Sequence, residues 1–368
     1  MEAAVIESIT EPLALEEVER HLIEQLHARE NTSRAATLNL ICRACDQNDA
    51  ARLADLLAEL AQRHPGRIFL LVPPTTESAN DGEWMARILT PEPANSSRSL
   101  CNEIIQLESR NAAFEGVSTA LTPLLKGDLP VFLWWRGQSP IDNLNFDRLA
   151  QLADRILLDS EELALHPEQF LGLARLHRSL RHGHNITYLT WARLTPWRQL
   201  LGQSFDTREG IEHLHHLSSI TFSACCSQPA LNGGSVLLAG WMASRLGWKP
   251  AGAEGPNRLR MSASNGRSVL LDFETTQHQW KSMLHAVVIR SQDDHLVVSL
   301  VNRDDKISLV LQQQGKLLGQ SAGGYPLLTE TEVLREELDI LESDHLFQEA
   351  LDCGVELLQA LGVKEHES

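Results

Sequence analysis

The stretch that decides the fold is Thr37–Pro73, which reads TLNLICRAC (Thr37–Cys45), a helical segment over about Asp49–Arg63, and RIFLLVP (Arg67–Pro73). The first and last segments are apolar runs of strand length, and His64-Pro65-Gly66 ends the helix between them. A strand, a helix and a second strand with short joints are typical of a βαβ unit, whose two strands are parallel. The stretch therefore predicts a parallel sheet covered by helices.

Similar segments extend this pattern toward the middle of the chain. LPVFLWW (Leu129–Trp135) predicts a strand buried on both faces, and RILLD (Arg155–Asp159) predicts another. A helix opened by Ser160-Glu161-Glu162 is expected to run to Leu180. Residues 74–98 are rich in Pro, Ser, Thr and Asn, so they predict a long loop or an edge excursion. Residues 35–185 are thus interpreted as a doubly wound, mostly parallel α/β domain, Rossmann-like without a phosphate loop.

The second half of the chain has a different character. Thr195-Pro196 suggests a helix N-cap followed by a proline, and VLLAGWMASRLGW predicts a buried helix. Four apolar segments joined by short loops then predict an antiparallel meander: RSVLLDFETT, SMLHAVVIRSQ, LVVSLVN and KISLVLQQQ. Residues 186–328 are interpreted as an α+β domain. Residues 1–34 are expected to form an amphipathic helix and a linker, and residues 329–368 acidic helices.

Composition narrows the class of protein. The 368 residues carry a net charge of −17, with Lys plus Arg 32 against Asp plus Glu 49. This balance argues against binding to nucleic acid or to an anionic membrane. No apolar run of about 18 residues is present, and the first residues lack a signal-peptide layout. Six cysteines are too few for a disulfide framework. We expect a soluble cytoplasmic protein with two domains or lobes.

Motifs for a cofactor, a metal or catalysis are nearly absent. No GxGxxG follows the first strand, no GxxxxGK[ST] or HExxH occurs, and no catalytic residue, cofactor or metal is predicted. Cys42-x-x-Cys45 could be a redox pair, but two small buried residues at a strand end are favoured. Cys225-Cys226 could in principle form a vicinal disulfide.

Histidines and cations form two further groups. His213, His215 and His216 fall in one segment, and solvated helix surface is favoured there over metal binding. A basic stretch could bind an acidic tail or a phosphorylated ligand, but a solvated helix end is favoured. It contains Arg175, His177, Arg178, Arg181, His182 and His184.

Tryptophans stand beside arginines at three places: Trp134-Trp135-Arg136, Trp191-x-Arg193 and Trp197-Arg198. Core packing is the default for each ring. Trp and Arg are also enriched where protein interfaces gain most of their binding energy. These seven residues are therefore candidates for partner binding.

Four segments carry a resemblance to a known family: LPVFLWWRG (129–137), LADRILLDS (152–160), LTWARLTPWRQLL (189–201) and LLAGWMASRLGW (237–248). They resemble the glucose-6-phosphate dehydrogenase assembly proteins of the OpcA type across roughly residues 30–330. The resemblance implies a non-enzymatic partner of glucose-6-phosphate dehydrogenase that promotes its active oligomer and so supports the oxidative pentose phosphate pathway and NADPH supply.

Two hypotheses follow for the site. In the first, the Trp134–Arg136 turn and the Trp191–Arg198 segment lie near each other and support or form the docking surface for the dehydrogenase. In the second, the protein is a regulator or an unrecognised transferase that binds a sugar phosphate or a nucleotide where the strands of the α/β domain end. Gly137, Asp159 and Ser160 stand at such ends. A phosphate-lined pocket there would favour the second hypothesis.

Overall fold

The computed structural model describes residues 6–28, 36–73, 84–91, 103–109, 116–160, 165–180, 184–225, 229–277, 283–321, 324–342 and 344–364. The chain divides into two compact units. The first contains Met1–Ser160, Leu180–Tyr188 and Glu330–Ser343. The second contains Glu161–Ser179, Leu189–Thr329 and Asp344–Ser368.

The first unit contains one sheet and five of the described helices. Its strands are β1 (Ile6–Ile9), β2 (Leu13–Ala14), β3 (Leu38–Arg43), β4 (Gly66–Val72), β5 (Trp84–Pro91), β6 (Glu103–Ser109), β7 (Val131–Gly137), β8 (Arg155–Ser160) and β9 (Asn185–Tyr188). Its helices are α1 (Leu15–Ala28), α2 (Gln47–Arg63), α3 (Val117–Leu121), α4 (Leu144–Ala150) and, late in the chain, α10 (Glu330–Leu338).

The sheet order is β1-β5-β6-β4-β3-β7-β8-β9, with β2 beside β5. Six neighbouring strands are parallel to one another: β6, β4, β3, β7, β8 and β9. Strands β1, β2 and β5 form an antiparallel edge beside β6. Numbered by their occurrence, the parallel strands run 3-2-1-4-5-6, the order of the Rossmann fold. Every residue of β3 and β4 is buried, as expected for strands covered on both faces. The sequence prediction of a doubly wound, mostly parallel sheet is confirmed.

The second unit also contains a nine-stranded sheet. Its strands are β10 (Leu217–Ala224), β11 (Lys249–Gly255), β12 (Arg258–Ser262), β13 (Ser268–Thr275), β14 (Leu284–Ser291), β15 (Leu296–Arg303), β16 (Lys306–Gln313), β17 (Lys316–Gln320) and β18 (Tyr325–Pro326). Its helices are α5 (Pro167–Leu180), α6 (Leu189–Arg193), α7 (Thr195–Ser204), α8 (Arg208–Leu214), α9 (Gly233–Leu246) and α11 (His345–Ala360).

The order of this second sheet is β11-β12-β13-β10-β14-β15-β16-β17. An antiparallel meander is present, as predicted, but it begins at β14. Strand β10 lies between β13 and β14, parallel to the first and antiparallel to the second, so those two consecutive strands do not pair. Two-residue turns with positive φ connect consecutive strands of the meander, for example Asp304 (φ 52°) and Asp305 (φ 57°) between β15 and β16.

Helix α9 is buried along most of its length, as its apolar sequence predicts. It packs against α11 at Gly240, where a Cβ atom would lie 2.2 Å from the Ala350 carbonyl oxygen. The two helix backbones therefore approach each other more closely than any side chain at position 240 would allow. None of the helices in the described residues is long and apolar enough to cross a membrane.

Two local expectations need correction, and one open alternative is resolved. Residues 74–98 were expected to form a long loop or an edge excursion, and strand β5 within them pairs with β6 in the antiparallel edge of the sheet, as the second alternative predicts. The helix expected from Ser160 is interrupted at His166, and α5 begins at Pro167; residues 161–164 lie outside the described part of the chain. Thr195 is the first residue of α7 rather than its cap, because Leu194 takes that position.

Candidate functional site

The candidate site lies where β3 and β7 end side by side. These two strands are adjacent in the sheet, and Cys42 on β3 lies beside Trp134 on β7. From β3 the chain adds strands first toward one edge of the sheet and then, starting with β7, toward the other edge. In open α/β sheets, ligands bind in the crevice outside the carboxyl ends of the strands at such a reversal. We call the residues around this point the switch-point cluster: Cys42, Arg43, Cys45, Asp49, Arg52, Arg136 and Glu330.

The helix that follows β3 has its N-terminus occupied by carboxylates of the chain itself. The Asp46 side chain caps α2 by accepting a 2.8 Å hydrogen bond from the Asp49 backbone N–H. The Asp49 carboxylate in turn accepts a 2.8 Å bond from the Cys45 backbone N–H. In nucleotide-binding relatives of this fold, such N–H groups hold phosphate oxygens. Here a phosphate would meet two carboxylates instead.

Arg136, at the end of β7, completes an ion-pair network over this helix. Its guanidinium contacts the Asp49 carboxylate closely and lies 3.2 Å from the carboxylate of Glu330 on α10. Arg52 donates to the same two acids, at 2.6 Å to Glu330 and 3.0 Å to Asp49. Burial by itself would raise the pKa of Asp49, but the Cys45 N–H and the neighbouring Arg136 guanidinium outweigh it and lower that pKa.

Arg43 and the tryptophans of β7 fill the remaining space. The Arg43 guanidinium donates a 3.1 Å bond to the Arg136 carbonyl and lies 5.1 Å from the centre of the Trp135 ring. The Arg136 guanidinium lies 4.8 Å from the centre of the Trp134 ring. Both contacts fall within the range of cation–π attraction. Both rings are at most 1% exposed, so these tryptophans belong to the core.

Gly137 allows the chain to turn at this crowded place. Its φ is +75°, and a Cβ atom there would lie 2.5 Å from the Cys45 sulfur. Ser160, at the end of β8, donates a 2.9 Å hydrogen bond to the Gly137 carbonyl. The carboxyl ends of β7 and β8 are therefore tied to each other. Burial by itself would lower the pKa of Arg136, but the electrostatic influence of Cys42, Glu330, Asp49 and Asp159 outweighs it and raises that pKa.

Three of the described cysteines, Cys42, Cys45 and Cys353, are free thiols. Cys101 lies outside the described residues, and so does Cys226 of the Cys225-Cys226 pair. Burial raises the pKa of the Cys42 thiol strongly, and it also raises the pKa of Cys45. Because the thiolate is the reactive form, both groups are poorly nucleophilic in this state.

A second cluster surrounds Trp191 in the other unit. The Arg198 guanidinium stacks 3.5 Å from the centre of the Trp191 ring and donates a 2.9 Å bond to the Thr195 hydroxyl. The indole N–H of Trp191 donates a 2.6 Å bond to the carboxylate of Asp344, which also caps α11. Trp191 and Trp197 are 1% and 2% exposed. The hydrogen bond from Trp191 to Asp344 therefore holds the start of α11 in place.

The partner-binding candidates thus fall into two groups, one in each unit. Trp134, Trp135 and Arg136 belong to the first, and Trp191, Arg193, Trp197 and Arg198 to the second. Arg193 and Arg198 are half-buried, whereas the four indole rings are in the cores. A partner would meet the surfaces that these rings support rather than the rings themselves. Their part in docking stays a prediction.

In the described residues, the histidine group and the basic stretch are not arranged as a metal site or an anion site. The rings of His213 and His295 lie 5.4 Å apart, and His216 contacts Arg267 closely. No group of three or more metal-ligating side chains is found in the described ranges. His177 is buried against Phe347, and His184 lies 2.7 Å from the Ala153 carbonyl. Arg181 and His182 fall outside the described residues.

Sequence reasoning missed four members of the switch-point cluster: Arg43, Asp49, Arg52 and Glu330. Asp49 in the first turn of α2 carries a weak local signal, because acidic residues are favoured there. Glu330 carries none, since 194 residues separate it from Arg136.

Fold and site together define a class of protein. It has a Rossmann-like α/β unit and a second unit built on a large sheet. Ion pairs of the chain itself lie at the strand ends where nucleotide-binding proteins with a Rossmann fold hold their ligand. Two family descriptions match the chain, "Glucose-6-phosphate dehydrogenase subunit N-terminal domain" over residues 57–176 and the corresponding C-terminal domain over residues 184–351. The chain belongs to the glucose-6-phosphate dehydrogenase assembly protein family of the OpcA type.

Curated relatives agree with this assignment. A "Putative OxPP cycle protein OpcA" of Nostoc punctiforme is 32% identical over 199 residues, which cover 54% of this chain and 41% of that protein. The protein of the same name from Synechocystis is 27% identical over 191 residues, covering 52% and 39%. The matched stretch thus spans about two fifths of each relative.

Two solved structures to which the chain is similar are described as oxidoreductases. One from Parabacteroides merdae, a putative oxidoreductase, has a TM-score of 0.48 at 8% identity and covers 90% of this chain and 98% of its own. Another, from Agrobacterium radiobacter in complex with NAD+, L-tartaric acid and magnesium, has a TM-score of 0.45 at 9% identity, covering 89% and 97%. At these values no ligand or activity is transferred to the chain.

Proposed function

We propose that this chain is a non-enzymatic assembly factor that binds glucose-6-phosphate dehydrogenase and favours its active oligomer. In this role it is an allosteric activator that supports the oxidative pentose phosphate pathway and NADPH supply. The observation that carries the proposal is the closed switch point in a member of this family. The carboxylates of Asp46 and Asp49 accept hydrogen bonds at the N-terminus of the helix after β3, where dinucleotide-binding proteins of this fold hold a phosphate, and this supports a role without a nucleotide.

Activation requires that the chain bind the active oligomer more tightly than the inactive form, since equal affinity shifts no equilibrium. A tenfold gain in the active population needs about 1.4 kcal/mol of differential binding. One or two well-packed interfacial contacts are enough for this. We propose that the Trp134–Arg136 and Trp191–Arg198 segments hold the docking surfaces in shape. Residues 1–31 contain eight acids and two bases, and residues 328–368 contain twelve acids and two bases. We further propose that these acidic chain ends contribute long-range attraction to a basic patch on the enzyme.

The test is a titration of the full chain into purified glucose-6-phosphate dehydrogenase from the same organism, with activity and oligomer mass followed together. A saturable rise in activity together with a co-migrating complex is the expected result. Absence of both, with the two proteins folded, would overturn the proposal.

A parallel measurement addresses the sugar-phosphate or nucleotide alternative. The melting temperature of the chain is compared with and without NADP+, NAD+ or glucose 6-phosphate. Because ligand binding to the native state raises the melting temperature, no shift is expected. A saturable shift that disappears in Arg136→Ala would favour the ligand-binding alternative. Glu336→Gln, an exposed change on α10 outside the switch-point cluster, is the matched control.

A further inference from the structure

A cleft with a volume of about 300 Å³ lies among three helices of the second unit. Its walls come from α7 and the residues just after it, from α8 and from the second half of α9. They are mainly apolar: Leu201, Phe205, Leu214, Trp241, Met242 and Leu246. The volume is at the lower end of the range for ligand clefts, so it suits one or two large side chains. We call it the anchor cleft.

Two large apolar side chains of the anchor cleft are accessible to a partner. Trp241 is half-buried, whereas every other tryptophan in the described residues is buried. It also interrupts a stretch of α9 that is otherwise buried from Gly233 to Ala243. Ile211, on the α8 side of the cleft, is 49% exposed. Because exposed apolar surface is unfavourable in water and tryptophan is enriched where interfaces gain most of their energy, this pair indicates a surface that another protein covers.

The anchor cleft continues from the segment proposed to support docking. Helix α7 carries Trp197 and Arg198, and Leu201 lies one helical turn after Trp197 on the same face. The Trp197 ring is buried in the core, so it fixes the position of the helix turn that forms the cleft wall. The cleft is therefore a surface that the Trp191–Arg198 segment holds in shape.

The charges around the anchor cleft favour a cation. Asp206, between α7 and α8, is exposed and forms no ion pair with any described residue. Arg245, the other charged residue of the walls, is paired closely with Glu349. Leu201 lies in the last turn of α7 and Leu246 in the last turn of α9, where the helix dipoles add partial negative charge. An apolar group with a positive charge beside it therefore complements the cleft.

We propose that the anchor cleft receives one large apolar side chain of glucose-6-phosphate dehydrogenase that is flanked by a lysine or an arginine. This inference rests on the proposed function. The apolar side chain packs against Trp241 and Leu214, and the flanking cation lies beside Asp206. A pocket that encloses an apolar anchor in this way supplies a large part of the binding energy of an interface. The flanking base belongs to the same basic surface that the acidic chain ends attract.

The first test measures the affinity of the full chain for purified glucose-6-phosphate dehydrogenase by calorimetric titration. Gly202 lines the cleft, and a Cβ atom at this position would meet nothing within 4 Å, so a larger side chain fits there without a clash. Gly202→Leu narrows the cleft and should weaken binding at least about tenfold. Gly202→Ala, which adds a single methyl group at the same position, should stay within about twofold of the wild type.

A second pair of variants tests the flanking cation. Asp206→Lys should weaken binding at least about tenfold, because it places a like charge beside the incoming base. Asp352→Lys is the matched control, since Asp352 is an exposed acid on α11 outside the cleft walls and the change in net charge is the same. It reduces only the long-range attraction, so its loss of affinity should stay within about threefold.

Photo-crosslinking identifies the occupant of the cleft. With p-benzoylphenylalanine in place of Ile211, the expected product joins the chain to a dehydrogenase peptide that has an apolar residue next to a lysine or an arginine. The same group in place of Leu317, which is 59% exposed on β17, should not give this product. A product that joins position 211 to a second copy of this chain, or to a dehydrogenase peptide without a base, would overturn the inference.

The outcomes separate this inference from the proposed function. Circular dichroism and urea unfolding establish that each variant is folded. Wild-type affinity in a folded Gly202→Leu or Asp206→Lys variant would overturn the anchor cleft and leave the proposed function standing. A wild-type chain that neither binds nor activates the dehydrogenase would overturn both.

Discussion

The guanidinium of Arg136 lies 3.2 Å from the carboxylate of Glu330, although 194 residues separate them in the chain. The contact joins the end of β7 to the start of α10, within the first unit. It occupies the crevice that a Rossmann-type sheet offers to a ligand. The chain thus uses its own acid in the place of a bound anion, and this relationship is open to direct test.

Glu330→Gln should reduce the free energy of unfolding by about 1–3 kcal/mol, because charged hydrogen bonds to Arg52 and Arg136 are weakened. Urea unfolding measures the change. Glu336→Gln, an exposed acid on the same helix, should stay within about 0.5 kcal/mol of the wild type. Equal stability of the two variants would show that the Glu330 contacts contribute nothing.

Asp49 should make stability depend on pH in the acidic range. Its pKa is lowered in the folded protein, so its stabilising effect is present above the ordinary carboxyl pKa of 3.8 and is lost as the pH falls through the lower, folded value. Asp49→Asn should therefore flatten this part of the pH profile of the unfolding free energy. Asp352→Asn, an exposed change on α11, should leave the profile as it is in the wild type. Parallel profiles for Asp49→Asn and wild type would contradict the assignment.

Gly240→Ala should destabilise the protein by about 1–3 kcal/mol or more, since the added methyl group would overlap the Ala350 carbonyl and force α9 and α11 apart. Thermal and urea unfolding report the effect. Gly202→Ala is the matched control inside α7, where a Cβ atom meets nothing within 4 Å. That change should be neutral or stabilising by up to about 1 kcal/mol. A loss at Gly202 as large as the loss at Gly240 would contradict the packing explanation, because Gly202 has no close neighbour for the added methyl group to meet.

Arg198→Ala should remove the stacking on Trp191, reducing stability by about 0.5–2 kcal/mol. If the Trp191–Arg198 segment supports the docking surface, the affinity for glucose-6-phosphate dehydrogenase should fall as well. Trp197→Ala combined with Arg198→Ala should weaken binding further. Arg208→Ala, whose side chain is 96% exposed, is the control. Unchanged affinity in a folded Trp197→Ala/Arg198→Ala variant would remove this segment from the docking hypothesis.

Salt should distinguish long-range attraction from packing in the same complex. If the acidic ends of the chain attract a basic patch on the dehydrogenase, the association rate should fall as ionic strength rises, while the dissociation rate changes little. Stopped-flow mixing at several salt concentrations measures both. An association rate that does not respond to salt would exclude this contribution.

Local patterns in the sequence determined the central elements of the first unit. The apolar runs of β3, β4 and β7 and the stop at His64-Pro65-Gly66 depend on side chains within a few residues of each other, so they can be read without the fold. The same is true of the buried helix α9. The missing phosphate loop after β3 also follows from the sequence alone.

Only the tertiary structure decided which elements pair or pack with each other. The insertion of β10 between β13 and β14 leaves the alternation of each strand unchanged, so no local pattern records it. The pairing of Arg136 with Glu330 and the contact of Gly240 with Ala350 join distant segments, and each depends on how the chain as a whole packs. The two terminal helices illustrate the same point: α10 belongs to the first unit and α11 to the second, although both have similar acidic, amphipathic sequences. Periodicity specifies which face of an element is buried, whereas the partner that buries it is selected by long-range packing.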